Sequence, residues 1–248
     1  DFCLSRGLGD VYKRQVQVGA LGIPLVFNNV LTRRSLEQAH ALCSFSDPYI
    51  GTEAGYVQVT RLSGRGPALL VVPDGKTPLE AYNPIQGRRR DEAIQPFTDP
   101  TPRSVTFEGF YEWMVHSQAF ADNEWSKAQP WNPPTLLTLA PGESKTYGLR
   151  FLLAKEIRRI EDTLTANQRP VAVGIPGYIL PTDIDARLFL RYPQPVQSIR
   201  AEPAEALRFQ HLPSTKNGWQ AYALRGKTWG RARLDVVYAD GLHQTIHY

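Results

Sequence analysis

Cysteine and methionine are nearly absent from this 248-residue chain, which has only Cys3, Cys43 and Met114. One thiol in the body of the chain closes no intramolecular disulfide and supplies no Cys-based zinc site. Long apolar runs are missing too: none reaches the roughly 18 residues that a membrane-spanning helix needs. There is no Asn-x-Ser/Thr sequon, no phosphate-cradling GxxxxGK[ST] loop and no Gly-x-Ser-x-Gly elbow. Charge of one sign is also lacking, with 28 basic residues interleaved with 24 acidic ones. The densest basic run, Arg88-Arg89-Arg90, is followed at once by Asp91-Glu92. It reads as a solvated loop and not as a nucleic-acid-binding arm, with a contact to an acidic polymer as the second reading.

The chain has no initiator methionine, and residues 5–15 back-translate to a transposon-type sequencing adapter. Residues 1–15 are therefore set aside as a non-native scar. They hold Arg6, Lys13 and Arg14 against Asp1 and Asp10, so +3 of the formal +4 belongs to residues 16–248. The chain reads as a fragment of environmental DNA. A missing signal peptide then carries no information, and residues 16–30 fit either a first strand or the remnant of an export segment. Export to the periplasm or the exterior is the expectation.

What is present is period-two alternation with turn punctuation, the pattern of strands half-buried in a sheet. Val57 and Val59 oppose Gln58 and Thr60. Residues 68–72, Ala-Leu-Leu-Val-Val, form a continuous apolar run, as in a strand covered on both faces. Residues 105–115 and 187–192 alternate as well. Residues 136–151 read as strand, turn, strand around Pro141-Gly142. The clearest hairpin is C-terminal, with Leu234, Val236 and Tyr238 leading into Asp240-Gly241, and Leu242, Gln244 and Ile246 leading out. Two helices interrupt the strands. Ser35 with Gln38 forms a capping box that opens a short helix to about Cys43. Ile157, Ile160 and Leu164 mark one face of a helix over residues 155–167.

Many strands, two short helices and no βαβ rhythm predict an all-β fold: a large antiparallel β-sandwich, supersandwich-like, over residues 16–248. Two tandem sandwiches are the alternative, but no flexible linker divides the chain.

The most distinctive segment is residues 119–134, longer than an ordinary hairpin loop. It carries Asp122, Glu124, Trp125, Trp131 and Asn132 among three prolines. Large aromatics on a stiff loop suit a poly- or oligosaccharide, because an indole face packs on the C–H face of a pyranose while carboxylates and amides take hydroxyls. The plainer reading is that both indoles cover a sheet end or an interface. Glycoside hydrolysis needs two carboxyl groups about 5–9.5 Å apart. Asp122 with Glu124, Glu108 with Glu112, and Asp183 with Asp185 are the pairs on offer, and spacing does not choose among them. His243 and His247 share a strand face but lie about 13 Å apart along it, too far to share an ion. No metal, cofactor or catalytic residue is assigned.

Several stretches carry a family resemblance: residues 47–51 (DPYIG), 54–62 (AGYVQVTRL), 78–82 (PLEAY), 169–178 (RPVAVGIPGY) and 229–233 (WGRAR). Together they resemble an uncharacterised fungal and bacterial family related to six-hairpin glycosidases. The resemblance implies an N-terminal β-sandwich packed on an (α/α)6 toroid that holds the acid and base carboxylates. On that basis the toroid is the partner, lies beyond this fragment, and leaves it non-catalytic. A stand-alone carbohydrate-binding module, and an enzyme using acids on one sandwich face, remain the other two readings. Neither a nucleic-acid nor a membrane partner is expected.

Overall fold

The computed structural model describes residues 15–27, 34–85, 110–213 and 218–248. The arginine run at 88–90 and Glu108 lie outside them. In chain order the strands are β1 (Val16–Val18), β2 (Leu21–Val26), β3 (Ser44–Tyr49), β4 (Tyr56–Arg61), β5 (Ala68–Asp74), β6 (Ala81–Ile85), β7 (Phe110–His116) and β8 (Leu137–Leu139). They continue as β9 (Gly148–Ala154), β10 (Val171–Ile175), β11 (Asp185–Arg191), β12 (Val196–Glu202), β13 (Leu207–His211), β14 (Gln220–Gly226), β15 (Arg233–Tyr238) and β16 (His243–His247). The helices are α1 (Leu36–Leu42), α2 (Gln118–Asp122) and α3 (Ile160–Ala166).

The expected all-β antiparallel sandwich class is the one observed. It is built as two facing pairs of sheets and a two-stranded ribbon of β1 and β8. In the first pair, β2-β7-β6 lies across from β3-β4-β5-β9. Their common core holds Leu25, Val57, Val59, Val71, Leu79, Trp113 and Val115. In the second, β10-β11-β14-β13 lies across from β12-β15-β16, over Leu188, Leu190, Tyr222, Leu224, Leu234, Val236, Tyr238 and Ile246. A third cluster ties the pairs together. Leu70 and Val72 of β5 pack there with Ile160 and Leu164 of α3 and Val171 of β10. This explains the unbroken apolar run in β5: Val71 points into the first core while Ala68, Leu70 and Val72 point into the third.

The C-terminal hairpin forms as read, with Leu234 opposite Ile246 and Val236 opposite Gln244. Gly241 takes φ +71, and its amide donates to the Tyr238 carbonyl at 2.8 Å. The capping box at Ser35 is present in both directions, at 3.2 and 3.0 Å.

Three readings are corrected. Residues 136–151 do give two strands, but β8 pairs with β1 and β9 pairs with β5, so the turn between them joins different sheets. A third short helix, α2, occupies the start of what read as a loop. The second expected helix begins at Ile160; Ile157 lies in a 3-10 turn and is 40% exposed, so the buried face is Ile160 with Leu164. Among the described residues no helix is long and apolar enough to cross a membrane.

Candidate functional site

Residues 117–135 leave β7 and return to β8 as a strap, and Glu80 clasps its two ends. The Glu80 carboxylate accepts from the Ser117 hydroxyl, from the Thr135 hydroxyl, and from the Thr135 amide at 2.9 Å. The Gln118 amide also donates to the Thr135 carbonyl at 3.0 Å. Glu80 is 4% exposed. Burial pushes its carboxyl up from the usual value, while the donors from Ser117 and Thr135 pull it back.

His116 continues this network outward. Its Nδ1 lies 2.8 Å from the Thr135 hydroxyl and its Nε2 lies 2.6 Å from the Tyr147 hydroxyl. An ionised Glu80 takes the Thr135 proton, so Thr135 must accept from Nδ1–H, and Nε2 is left to accept from Tyr147. The proton order thus runs inward from Tyr147 to Glu80. Burial, with Lys145 as a second cause, holds His116 below its usual value, and burial raises Tyr147.

The far end of the strap is fixed to the second sandwich. Asn132 is 2% exposed. Its amide donates to the Glu80 carbonyl at 2.9 Å and to Ile50 at 3.4 Å, and its Oδ1 accepts from Thr245 at 2.8 Å. Arg231 donates to the Gln129 carbonyl at 2.7 Å, and its guanidinium lies 4.1 Å over the Trp131 ring. His247 meets Trp131 edge-on at 5.2 Å, and donates from Nε2 to the Ile50 carbonyl at 2.8 Å. Burial holds His247 below its usual value.

The five candidate residues therefore divide. Asp122 ends α2 and accepts from Gln118 at 2.7 Å. Glu124 is exposed. Trp125 stacks on Phe120 at 4.8 Å. Trp131 and Asn132 sit at the second sandwich. Trp131 keeps 42% of its surface exposed, with one face under Arg231. Asn132 spends its amide on the fold. Of the other candidate carboxylates, Glu112 accepts from Asn83 at 3.0 Å, Asp185 pairs with Arg225 at 3.1 Å, and Asp183 is exposed.

Sequence reasoning passed over Trp229, which is 98% exposed and stands two residues before Arg231. The available signal is an indole flanked by Lys227, Gly230 and Arg231 in a turn-rich stretch. Glu80, His116 and Tyr147 gave no signal, because their partners lie up to 55 residues away in sequence.

Both strap histidines have folded-state pKa values below the unfolded value of about 6.5. Such a group adds stability above that value and loses it as pH falls through the folded pKa. Glu80 has the opposite sign, because its raised pKa favours the folded state at low pH. As pH falls below about 6.5 the histidine contribution is progressively lost, which acts to lower the urea midpoint. His116→Gln should flatten that fall. Equal slopes for wild type and variant would show that His116 contributes nothing.

A model of a protein family matches residues 1–248. The chain belongs to DUF5695, a family of unknown function. No curated protein sequence matches this DUF5695 chain. Among solved structures, a chain described as a polysaccharide lyase superposes with a TM-score of 0.63 at 15% identity. The match covers 95% of the DUF5695 chain and 30% of the lyase chain. At this identity the likeness establishes the fold. The chain spans under a third of that structure's length.

Proposed function

We propose that this chain is the β-sandwich portion of a larger polysaccharide-processing protein, which it scaffolds while lending a carbohydrate-contacting surface near the strap. The supporting observation is the correspondence of nearly the whole chain with 30% of a polysaccharide lyase. Acid–base chemistry is assigned to the remainder of the polypeptide, a helical (α/α)6 domain in the six-hairpin arrangement. Secretion or the periplasm suits such a substrate.

Glu112 and Asp185 are each held by a separate partner, Asn83 and Arg225, which suits a non-catalytic role. Trp229 and the exposed part of Trp131 beside Arg231 are the surfaces offered to sugar. A stand-alone carbohydrate-binding module is the second reading, favoured by the full exposure of Trp229.

A glycan array with the chain as it stands tests the contact. Trp229→Ala should weaken binding about tenfold and Trp131→Ala less, because Arg231 already covers one face of that ring. Trp125→Ala should change little, since its ring stacks on Phe120. Absence of any glycan binding would remove the carbohydrate contact. New reducing ends or unsaturated sugars released by the chain alone would overturn the non-catalytic role.

A further inference from the structure

The β10-β11-β14-β13 sheet has one face in the second core, and the other face is divided in two. Near Val171 and Val173 that outer face packs into the third cluster with Trp219 and α3. Farther along the strands it is open, and there the register builds an unusual row. Asp185 lies opposite Arg225, and Arg225 lies opposite Arg208. Their inward neighbours Ala186, Leu224 and Phe209 belong to the core, so all three side chains project outward. The next outward row is Ile175, Arg187, Ala223 and Gln210.

Arg187, Arg208 and Arg225 are exposed, and Ile175 is 54% exposed. Directly opposed like charges such as Arg208 and Arg225 are destabilising on a sheet. Asp185 answers one of them, at 3.1 Å from Arg225. Arg187 and Arg208 pair with no carboxylate among the described residues. Arg225 is further held by a bond from its Nε to the Thr182 carbonyl at 3.2 Å. Neighbouring positions on such a face lie about 5–8 Å apart. The small Ala223 keeps the floor low between Arg187 and Gln210.

We propose that this open face, at Arg187, Arg208 and Arg225, is a docking surface for an anionic polysaccharide, distinct from the indoles near the strap. The inference rests on the carbohydrate reading above and adds the charge of the polymer. Guanidinium forks match carboxylates and sulfates two bonds at a time. Single-stranded nucleic acid fits less well, because it needs aromatic platforms for its bases and neither of these two rows has one.

The test measures affinity of the full chain for polygalacturonate, neutral dextran and duplex DNA, at low and raised salt. The patch variant is R187Q/R208Q/R225Q. A control, R65Q/R158Q/R200Q, removes the same charge from exposed positions elsewhere. Polygalacturonate should bind in a salt-sensitive way. The patch variant should lose about tenfold and the control less than about twofold. Equal losses in both variants, equal binding of DNA through the same arginines, or no binding of polygalacturonate would each overturn the proposal. If neutral glycans bind through Trp229 while polygalacturonate does not, the patch fails and the carbohydrate reading stands. If no glycan binds, both fail.

Discussion

Trp113→Ala should lower the free energy of unfolding by about 3–5 kcal/mol, the range for deleting a buried tryptophan. Trp113 is 0% exposed and heads the fully buried side chains by volume. Two terms act together. The indole fills the core between the sheets of the first sandwich, where it shares a cluster with Leu25, Val57, Val71 and Leu79. Its Nε1–H also donates to the Pro78 carbonyl at 2.7 Å, which fixes the chain two residues before Glu80. Truncation leaves a cavity that flanking strands cannot close, and an acceptor without its donor. Trp113→Phe should cost less, because it keeps most of the volume and loses the bond. Urea unfolding of the three proteins provides the check. A loss below about 1.5 kcal/mol for the alanine variant would mean that the first core repacks freely.

Asn132→Ala should cost about 2–4 kcal/mol and release the strap from the second sandwich. The residue bridges the two sheet pairs: its amide reaches Glu80 and Ile50, and its oxygen takes the Thr245 proton. Removing it leaves the 4% exposed Thr245 hydroxyl with only the longer bond to the Ile50 carbonyl at 3.3 Å, and strips a donor from the Glu80 carbonyl. Buried polar groups lose most when only one partner is deleted. Asn132→Asp should not rescue, since it keeps the acceptor, loses the donor and buries a charge. A double-mutant cycle with Thr245→Val isolates the shared bond, with an expected coupling of about 1 kcal/mol. Limited proteolysis supplies the second readout, as cleavage within residues 119–131 should speed up in Asn132→Ala. Unchanged stability together with unchanged cleavage would show that the strap is held without Asn132.

These two effects show what kind of information each position carried. Trp113 was legible as a core residue, because it alternates with Glu112 and falls on the Tyr111 side of a strand pattern. Asn132 was legible only as a polar residue on an aromatic loop, the description of a sugar contact. The structure turns that amide inward. Nothing local separates the two outcomes, since the carbonyls and hydroxyl that use the amide come from β16 and from the stretches before β4 and β6. The sequence offers Trp131 as a platform, and the Arg231 guanidinium that covers one face of it is 100 residues away. Trp229, passed over as a site, is the more exposed indole.

Period-two patterning, the Asp240-Gly241 turn and the capping box at Ser35 determined the all-β class, the C-terminal hairpin and α1 from the sequence by itself. Each depends on residues within one turn or one strand of each other, where backbone geometry and local burial suffice. Strand partners are another matter. β8 and β9 are neighbours in the chain but pair with β1 and β5, because the pairing that buries most apolar surface is chosen across the whole molecule. The clasp at Glu80, the proton order through His116, the anchoring of Asn132 and the arginine row on β11, β13 and β14 exist only once distant strands are in register. Charge and hydrogen-bond complementarity are set by that register, and the tertiary structure alone decided it.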